Sequence, residues 1–392
     1  MKHQVQLATR LAEQLLWLGR DRLRGAALAR ADGIPDGVEG IDAAWLTHAL
    51  AQDFPGINVA TCTRRGGHSG TTTRERIGFE LAGDHHPVDL PDTLFVKITP
   101  NSLGTKVFAG IFDLGRLEVG FYNQIARDLP IPVPRSFCAR SARHGGRFII
   151  LLEDLLARGC RFPSGDIDLA QARAVVRCLG KLHAAFWESP RFETDLGWLR
   201  SYETRRNIGV ENLMSSRANA PSISRYHDEL SSGVRENSHK VHLHREALEA
   251  YWSDGPRTLI HGDSHMGNLF FEGDDAGYFD WQMVQRGQGI RDVSYFMTNS
   301  LTTDLRRLAE KELVELYLST LRAGGVTGQG VDLDWVWERY RAHSLYVWIS
   351  SSVTAATPGL QPVEVARNAM QRTSAAMEDH GALELLDEIV NR

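Results

Sequence analysis

A chain of 392 residues exceeds what one compact hydrophobic core normally carries, and 42% hydrophobic with 24% charged residues is the balance of an ordinary soluble globular protein. A formal net charge of −5 gives no basic surface for nucleic acid, and no apolar run approaches the roughly 20 residues of a membrane helix. Cys62, Cys138, Cys160 and Cys178 stand far apart without CxxC spacing, which argues against a zinc ribbon or a disulfide framework and fits a reducing cytoplasm.

In chain order, Leu7, Leu11, Leu15 and Leu18 predict an amphipathic helix over residues 5–18 that packs on the body of the protein or on a partner subunit. Arg10 and Glu13 interrupt what would otherwise be a signal core. The Arg-rich segment over 20–30 reads as a solvated helix face. Residues 57–63 and 76–81 alternate like strands, and Gly66-Gly67-His68-Ser69-Gly70-Thr71-Thr72 between them predicts a glycine turn. Backbone amides of such a turn can cradle phosphates, with Ser69, Gly70 and Thr71 as the candidates. The spacing is not that of a Walker loop, so a plain hairpin turn is the competing interpretation.

Leu94-Phe95-Val96-Lys97-Ile98 puts a lysine inside an apolar strand, where burial is costly unless a carboxylate pairs it. Val107, Ile111, Leu114, Leu117, Phe121 and Ile125 recur at spacings of three and four, predicting one helix over 103–127. Glu118 lies beside that stripe and is the expected partner of Lys97; the alternative is a snorkelling edge lysine and an exposed glutamate. After Pro130, Pro132 and Pro134, residues 148–152 form a continuous apolar strand ending in Glu153 and Asp154.

Helical periodicity covers 167–188, 240–252, 304–323, 332–352 and 361–390. Between Trp198 and Arg245 a polar, Ser- and Asn-rich stretch is expected to form a mobile cover or an acceptor-specific insertion. Trp335, Trp337, Tyr340, Tyr346 and Trp348 would either line an apolar pocket or fill the core.

The most informative stretch is His261-Gly262-Asp263-Ser264-His265-Met266-Gly267-Asn268, followed by Tyr278-Phe279-Asp280-Trp281. Residues 258–260 and 269–271 predict short strands, Gly262 and Gly267 permit a tight loop, and 272–277 is a turn cluster. That hairpin brings Asn268 and Asp280 to one end. Phosphoryl transfer needs a carboxylate to orient and deprotonate a hydroxyl, and oxygen ligands for magnesium. Asp263 is the candidate for the first task, Asn268 and Asp280 for the second. His261 is expected to brace the loop, and Asp292 to cap the helix that begins near Val293. A rival use of Gly262-Asp263-Ser264-His265 is the opening of a binuclear metallophosphoesterase, but the further His and Asp ligands such a site needs do not follow.

The HGDxHxGN run followed by a strand and DW resembles the aminoglycoside phosphotransferase and choline kinase superfamily. Glu118 to Tyr122 and Lys181 to Trp187 are most similar to its ecdysteroid-kinase-like branch and bacterial relatives. The resemblance implies an α+β, protein-kinase-like two-lobed fold, with an N-terminal antiparallel sheet, one long helix and a mainly helical C-terminal lobe. It implies a helical extension over 1–45, a nucleotide-binding lobe over 46–155 and a helical lobe over 156–392 that holds the catalytic loop. It implies ATP and Mg2+, a small-molecule hydroxyl acceptor, Asp263 as base, Asn268 and Asp280 as metal ligands, and Lys97 with Glu118 on the phosphates. The strand ending at Glu153 resembles the hinge, where main-chain groups near Leu152 to Leu155 would meet the nucleotide base. Gly262 stands where protein kinases carry an arginine, so control through a phosphorylated activation loop is not expected. The acids do not concentrate in the acceptor region, which favours a neutral or apolar alcohol over a polycation. A catalytically silent nucleotide-binding relative is the alternative of a different class.

Overall fold

The computed structural model describes residues 7–20, 32–70, 72–83, 86–100, 102–205 and 207–392. Thr71, the Ser69 side chain and most of the Arg-rich segment expected over 20–30 lie outside the described residues. Helix α1 occupies residues 7–20, stacks Trp17 on His144 with ring centroids 3.4 Å apart, and buries Leu18. It therefore packs on the body of the chain.

Helix α2 (Ala43–Leu50), capped by the Asp42 carboxylate on the Trp45 N–H, leads into a five-stranded antiparallel sheet. Its strands are β1 (Val59–Ser69), β2 (Thr73–Leu81), β3 (Thr93–Ile98), β4 (Ser136–Ser141) and β5 (Phe148–Glu153), in the order β1-β2-β3-β5-β4. Burial explains that order, because β3 and β5 are the most apolar strands and take inner positions.

The single helix expected over 103–127 is two: α3 (Leu103–Phe112) and α4 (Leu114–Gln124). Asp113 between them is left-handed (φ 53°), its N–H closes on Ala109 and Gly110, and its carboxylate contacts the Arg200 guanidinium. The apolar stripe runs on across the break, so periodicity registers the buried face and not the interruption.

The second lobe is mainly helical: α5 (Leu169–Ala185), α6 (Ile208–Arg225), α7 (Ser232–Asn237), α8 (His239–Leu243), α9 (Arg245–Ser253), α10 (Ile290–Ser300), α11 (Thr303–Ala323), α12 (Leu333–Ala356), α13 (Val363–Asp379) and α14 (Ala382–Asn391). The helix expected over 361–390 is interrupted at Gly381, whose φ of 55° suits glycine, and that expected over 240–252 at His244. The polar stretch expected to be a mobile cover folds largely as α6 to α8. Tyr202, Val210, Tyr226, Val234 and Val241 are buried, and the Asn219 side-chain oxygen accepts from Trp348 Nε1 at 3.0 Å.

Two short hairpin-like pairs carry the signature loop. Strand β6 (Thr258–Ile260) pairs antiparallel with β9 (Gln285–Gly287), and β7 (Leu269–Glu272) with β8 (Asp275–Tyr278). One hydrophobic cluster joins the lobes, from Phe121, Ile150 and Leu152 above to Leu179, Tyr278, Trp281 and Tyr317 below.

Candidate active site

Strand β3 holds Lys97 among fully buried neighbours, and the lysine itself is only 3% exposed. Its ammonium donates to Glu118 Oε2 at 2.6 Å and, across the lobes, to Asp280 Oδ1 at 2.6 Å. The snorkelling alternative therefore does not describe this lysine. Arg74, directly opposite Lys97 in the β2–β3 register, reaches the other Asp280 oxygen, Oδ2, at 2.8 Å. Burial pushes the Glu118 carboxyl up against the pull of Lys97. Burial works the same way on Asp280, but Lys97 and Arg74 outweigh it and hold that carboxyl below its usual range.

The loop after β6 is fixed by backbone constraints. Gly262 has φ 83°, and a Cβ there would lie 2.3 Å from the Met283 carbonyl oxygen. The Asp292 carboxylate accepts from the N–H groups of His261 (2.6 Å) and Gly262 (3.0 Å). This corrects the expected role of Asp292: α10 begins at Ile290, and the carboxylate ties down the loop instead of capping its own helix. His261 Nδ1 accepts from the Asp263 N–H, so Nε2 carries the proton and donates to Phe279 O at 3.0 Å. Burial keeps this imidazole neutral by lowering its pKa, and the ring braces the loop against the strand leading to Asp280.

Asp263 Oδ2 receives Asn268 Nδ2 at 3.2 Å and lies 3.5 Å from His265 Nε2. Burial would raise this carboxyl, but His265 foremost, with the Tyr295 hydroxyl adding to it, holds it well below the usual carboxylate range. It is ionised at neutral pH. Asn268 Nδ2 also donates to Asp263 O at 2.9 Å, which turns the amide oxygen away from Asp263. Asn268 O in turn accepts from Phe279 N at 3.1 Å, so Asn268 and Asp280 stand at one end of the β7–β8 hairpin. Asp280 is left-handed (φ 64°), a conformation a short Asx side chain tolerates. Trp281 then stacks on Phe121 of α4 at 4.0 Å, on the helix that carries Glu118.

The Asn268 amide oxygen and the Asp280 carboxylate are two hard oxygen donors, which suits an ion that fills its remaining positions with water and phosphate oxygens, as Mg2+ does. Among the described residues no group of three or more His, Cys, Asp or Glu side chains could hold a metal ion, and a binuclear phosphoesterase site would need one.

The glycine turn is shorter than expected. Strand β1 continues through Gly66 and Gly67 with a bulge between Arg64 and Gly67, and the turn closes through Gly70 N donating to Thr72 O at 3.0 Å. Gly67 serves close strand packing, since a Cβ there would lie 1.9 Å from Arg74 O. At the end of β5, Glu153 Oε1 accepts from Arg135 N and Arg158 Nη1, and Glu153 N donates to Arg135 O. The Glu153 side chain is thus engaged with Arg135 and Arg158. Leu155 is buried and its carbonyl accepts from Cys160 N.

The sequence profile of the ecdysteroid kinase-like family matches residues 70–324, a span that includes Arg74, Lys97, Glu118, Asp263, Asn268 and Asp280. The chain belongs to the ecdysteroid kinase-like family. No curated protein matches it. Among solved structures, a choline kinase from Cryptosporidium parvum is similar at 12% identity, covering 88% of this chain and 97% of its own, with a TM-score of 0.47. A macrolide 2'-phosphotransferase from Brachybacterium faecium is similar at 16% identity, covering 83% and 97%, with a TM-score of 0.43. An aminoglycoside phosphotransferase in ternary complex with AMP-PNP and hygromycin B has 14% identity, 86% and 99% coverage and a TM-score of 0.44.

In this ecdysteroid kinase-like chain the aromatic residues of α12 do not share one environment. Tyr340 and Trp348 are fully buried core. Tyr346 lies under the Arg291 guanidinium, 3.8 Å from its ring centroid, and Arg291 donates to Gly262 O at 3.5 Å. Tyr202 faces Arg205 and Arg291. The buried region behind the 261–268 loop is thus polar and partly cationic. Sequence reasoning missed Arg74, Tyr295, and His183, whose Nε2 lies 3.5 Å from Asp292 Oδ2. Only the strand register, which fixes Arg74 beside Lys97, would have exposed the first.

Proposed function

We propose that this protein transfers the γ-phosphoryl group of ATP to a hydroxyl of a small molecule. The observation that carries the proposal is the meeting at Asp280: Lys97, braced by Glu118, arrives from the sheet, while Asn268 and Asp263 are hydrogen-bonded to each other at the same end of the hairpin. Ionised Asp263 orients the acceptor hydroxyl and takes its proton as the oxygen bonds to phosphorus and the bond from phosphorus to the ADP oxygen breaks. Lys97 presents its ammonium to the phosphates. Asn268 and Asp280 would hold Mg2+, which supplies charge neutralisation on the phosphate oxygens. The turn at Ser69, Gly70 and Thr71 lies against the phosphates in this assignment, with the Gly70 N–H already given to Thr72 O, and main-chain groups between Glu153 and Leu155 meet the base.

In this assignment residues 46–155 form the nucleotide lobe, residues 156–392 the lobe carrying the catalytic loop and acceptor site, and residues 1–45 an extension. The described cysteines are unpaired, which supports a reducing, cytoplasmic setting. No helix of the described residues is long and apolar enough to cross a membrane.

The test is ADP release from Mg·ATP with a panel of alcohols, sugars and sterols, comparing wild type with Asp263→Asn. Loss of a general base predicts a fall of roughly 10²–10⁴-fold in turnover with nucleotide binding retained. Equal turnover in both proteins removes Asp263 as the base. Nucleotide binding without acceptor-dependent turnover by any compound would favour a silent binding module.

A further inference from the structure

Asp280 has two carboxylate oxygens, and each is taken by a cation: Oδ1 by Lys97 at 2.6 Å, Oδ2 by Arg74 at 2.8 Å. A metal ion held by Asp280 needs at least one of them. The two cations are not equally replaceable. Lys97 is buried and anchored a second time by Glu118 at 2.6 Å, so its position does not depend on Asp280 alone. The Arg74 side chain is 38% exposed, and among the described residues its only ion pair is with Asp280. A divalent ion arriving from solvent therefore displaces the arginine before the lysine.

The displaced guanidinium has a defined destination. Arg74 faces Lys97 directly across the β2–β3 register, so the two side chains leave the same face of the sheet. Its strand begins at Thr73, immediately after the turn that contains Gly70. A cation in that position lies among whatever phosphates Lys97 and the turn engage, and guanidinium is the side chain best suited to bidentate phosphate binding.

We propose that Arg74 is a mobile nucleotide-binding residue, which neutralises Asp280 in the nucleotide-free protein and transfers to the nucleotide phosphates when metal takes Asp280. This inference rests on the phosphotransferase assignment above. Before nucleotide arrives, Arg74 gives the Oδ2 oxygen of this buried carboxylate the partner that Lys97, held on Oδ1, does not. The transfer also couples metal to nucleotide, since binding of one releases the ligand of the other.

The experiment measures ADP affinity by calorimetry for wild type, Arg74→Gln and Arg74→Lys, each in saturating Mg2+ and in EDTA. The proposal expects Arg74→Gln to weaken ADP about tenfold or more in Mg2+, where the guanidinium is on phosphate, and less than about threefold in EDTA, where it remains on Asp280. Arg74→Lys, which keeps the charge, should recover part of the loss. A merely structural ion pair would lower affinity equally in both conditions, and that result, or unchanged affinity in Mg2+, overturns the proposal. Thermal melting confirms that the variants are folded. Asp280→Ala separates the two levels of inference: if wild type binds no ADP, or if Asp280→Ala binds it as well as wild type in Mg2+, the phosphotransferase site itself is misassigned. If Asp280→Ala loses Mg2+-dependent binding while Arg74→Gln does not, only the role of Arg74 fails.

Discussion

Replacing Lys97 by methionine separates what the buried ion cluster does for stability from what it does for nucleotide. Lys97 and Glu118 are 3% and 1% exposed, and among the described residues Glu118 Oε1 already has no hydrogen-bond partner. Removing the ammonium strands the Glu118 carboxylate inside the protein, whereas Asp280 retains Arg74. A buried pair broken on one side costs about 3–5 kcal/mol. Part of that loss is escaped by protonation, because burial already pushes the Glu118 carboxyl up and the opposing lysine is gone. A carboxyl raised in the folded state is compatible with folding below its unfolded pKa, and loses that compatibility as pH rises through the folded value. The Lys97→Met protein should therefore be closer to wild type at pH 5 than at pH 8. Adding Glu118→Leu removes the stranded charge and should bring stability back to within about 1–2 kcal/mol of wild type, while nucleotide affinity stays lost. Urea and thermal unfolding at the two pH values, with nucleotide calorimetry on the double variant, provide the measurements. A Lys97→Met cost below about 1 kcal/mol, or a double-variant cost equal to the sum of the singles, would refute the buried-pair reasoning. Retained nucleotide affinity in the double variant would refute the phosphate role of Lys97.

Three further outcomes are expected. Gly262→Ala should destabilise by about 1–3 kcal/mol and depress turnover further than its stability loss explains, because its Cβ would press on the Met283 carbonyl and displace the residue before Asp263; an unaltered melting temperature would contradict it. Asp292→Asn should cost about 1–3 kcal/mol in urea unfolding, since one amide oxygen replaces two carboxylate oxygens that hold the His261 and Gly262 N–H groups; a neutral outcome would mean that the loop is held elsewhere. Among the described residues neither ring nitrogen of His242 has a hydrogen-bond partner, and burial pushes its pKa down to about 4. The unfolded chain binds that proton near pH 6.5 and the folded one does not, so stability should fall by roughly 2 kcal/mol as pH drops from about 6.5 to about 4, after allowance for partial exposure. His242→Phe should flatten that part of the stability profile, and an unchanged slope would show that another group is responsible.

The parts of the site that sequence made legible are those whose chemistry is local. Gly262, Asp263, Asn268 and Asp280 fall within one strand, loop and hairpin unit, and hydrogen bonding inside that unit, from Asn268 Nδ2 to Asp263 and from Phe279 N to Asn268 O, sets their arrangement. Lys97 was legible for an energetic reason: a lone ammonium in an apolar strand requires a carboxylate, and a helical stripe nearby offered Glu118. What escaped depends on register or on long-range packing. Arg74 reads as one more charge in a polar strand until β2 and β3 are aligned, and only then is it the neighbour of Lys97. The kink at Asp113 escaped because the apolar spacing is the same on both sides of it. Asp292 was given the nearest available task, capping its own helix, although its partners lie about 30 residues earlier in the chain.

The same limit bears on α12. Aromatic spacing along α12 leaves an apolar pocket and core filling both open; the helix turns Tyr340 and Trp348 into the core and sets Tyr346 against Arg291, whose Nε and Nη1 have no hydrogen-bond partner among the described residues and which is itself tied to the carbonyl of Gly262. That guanidinium is 1% exposed, so its spare donors face the protein interior and not an incoming molecule. Periodicity counts which residues share a face, but charge brought in from another helix decides what that face can bind.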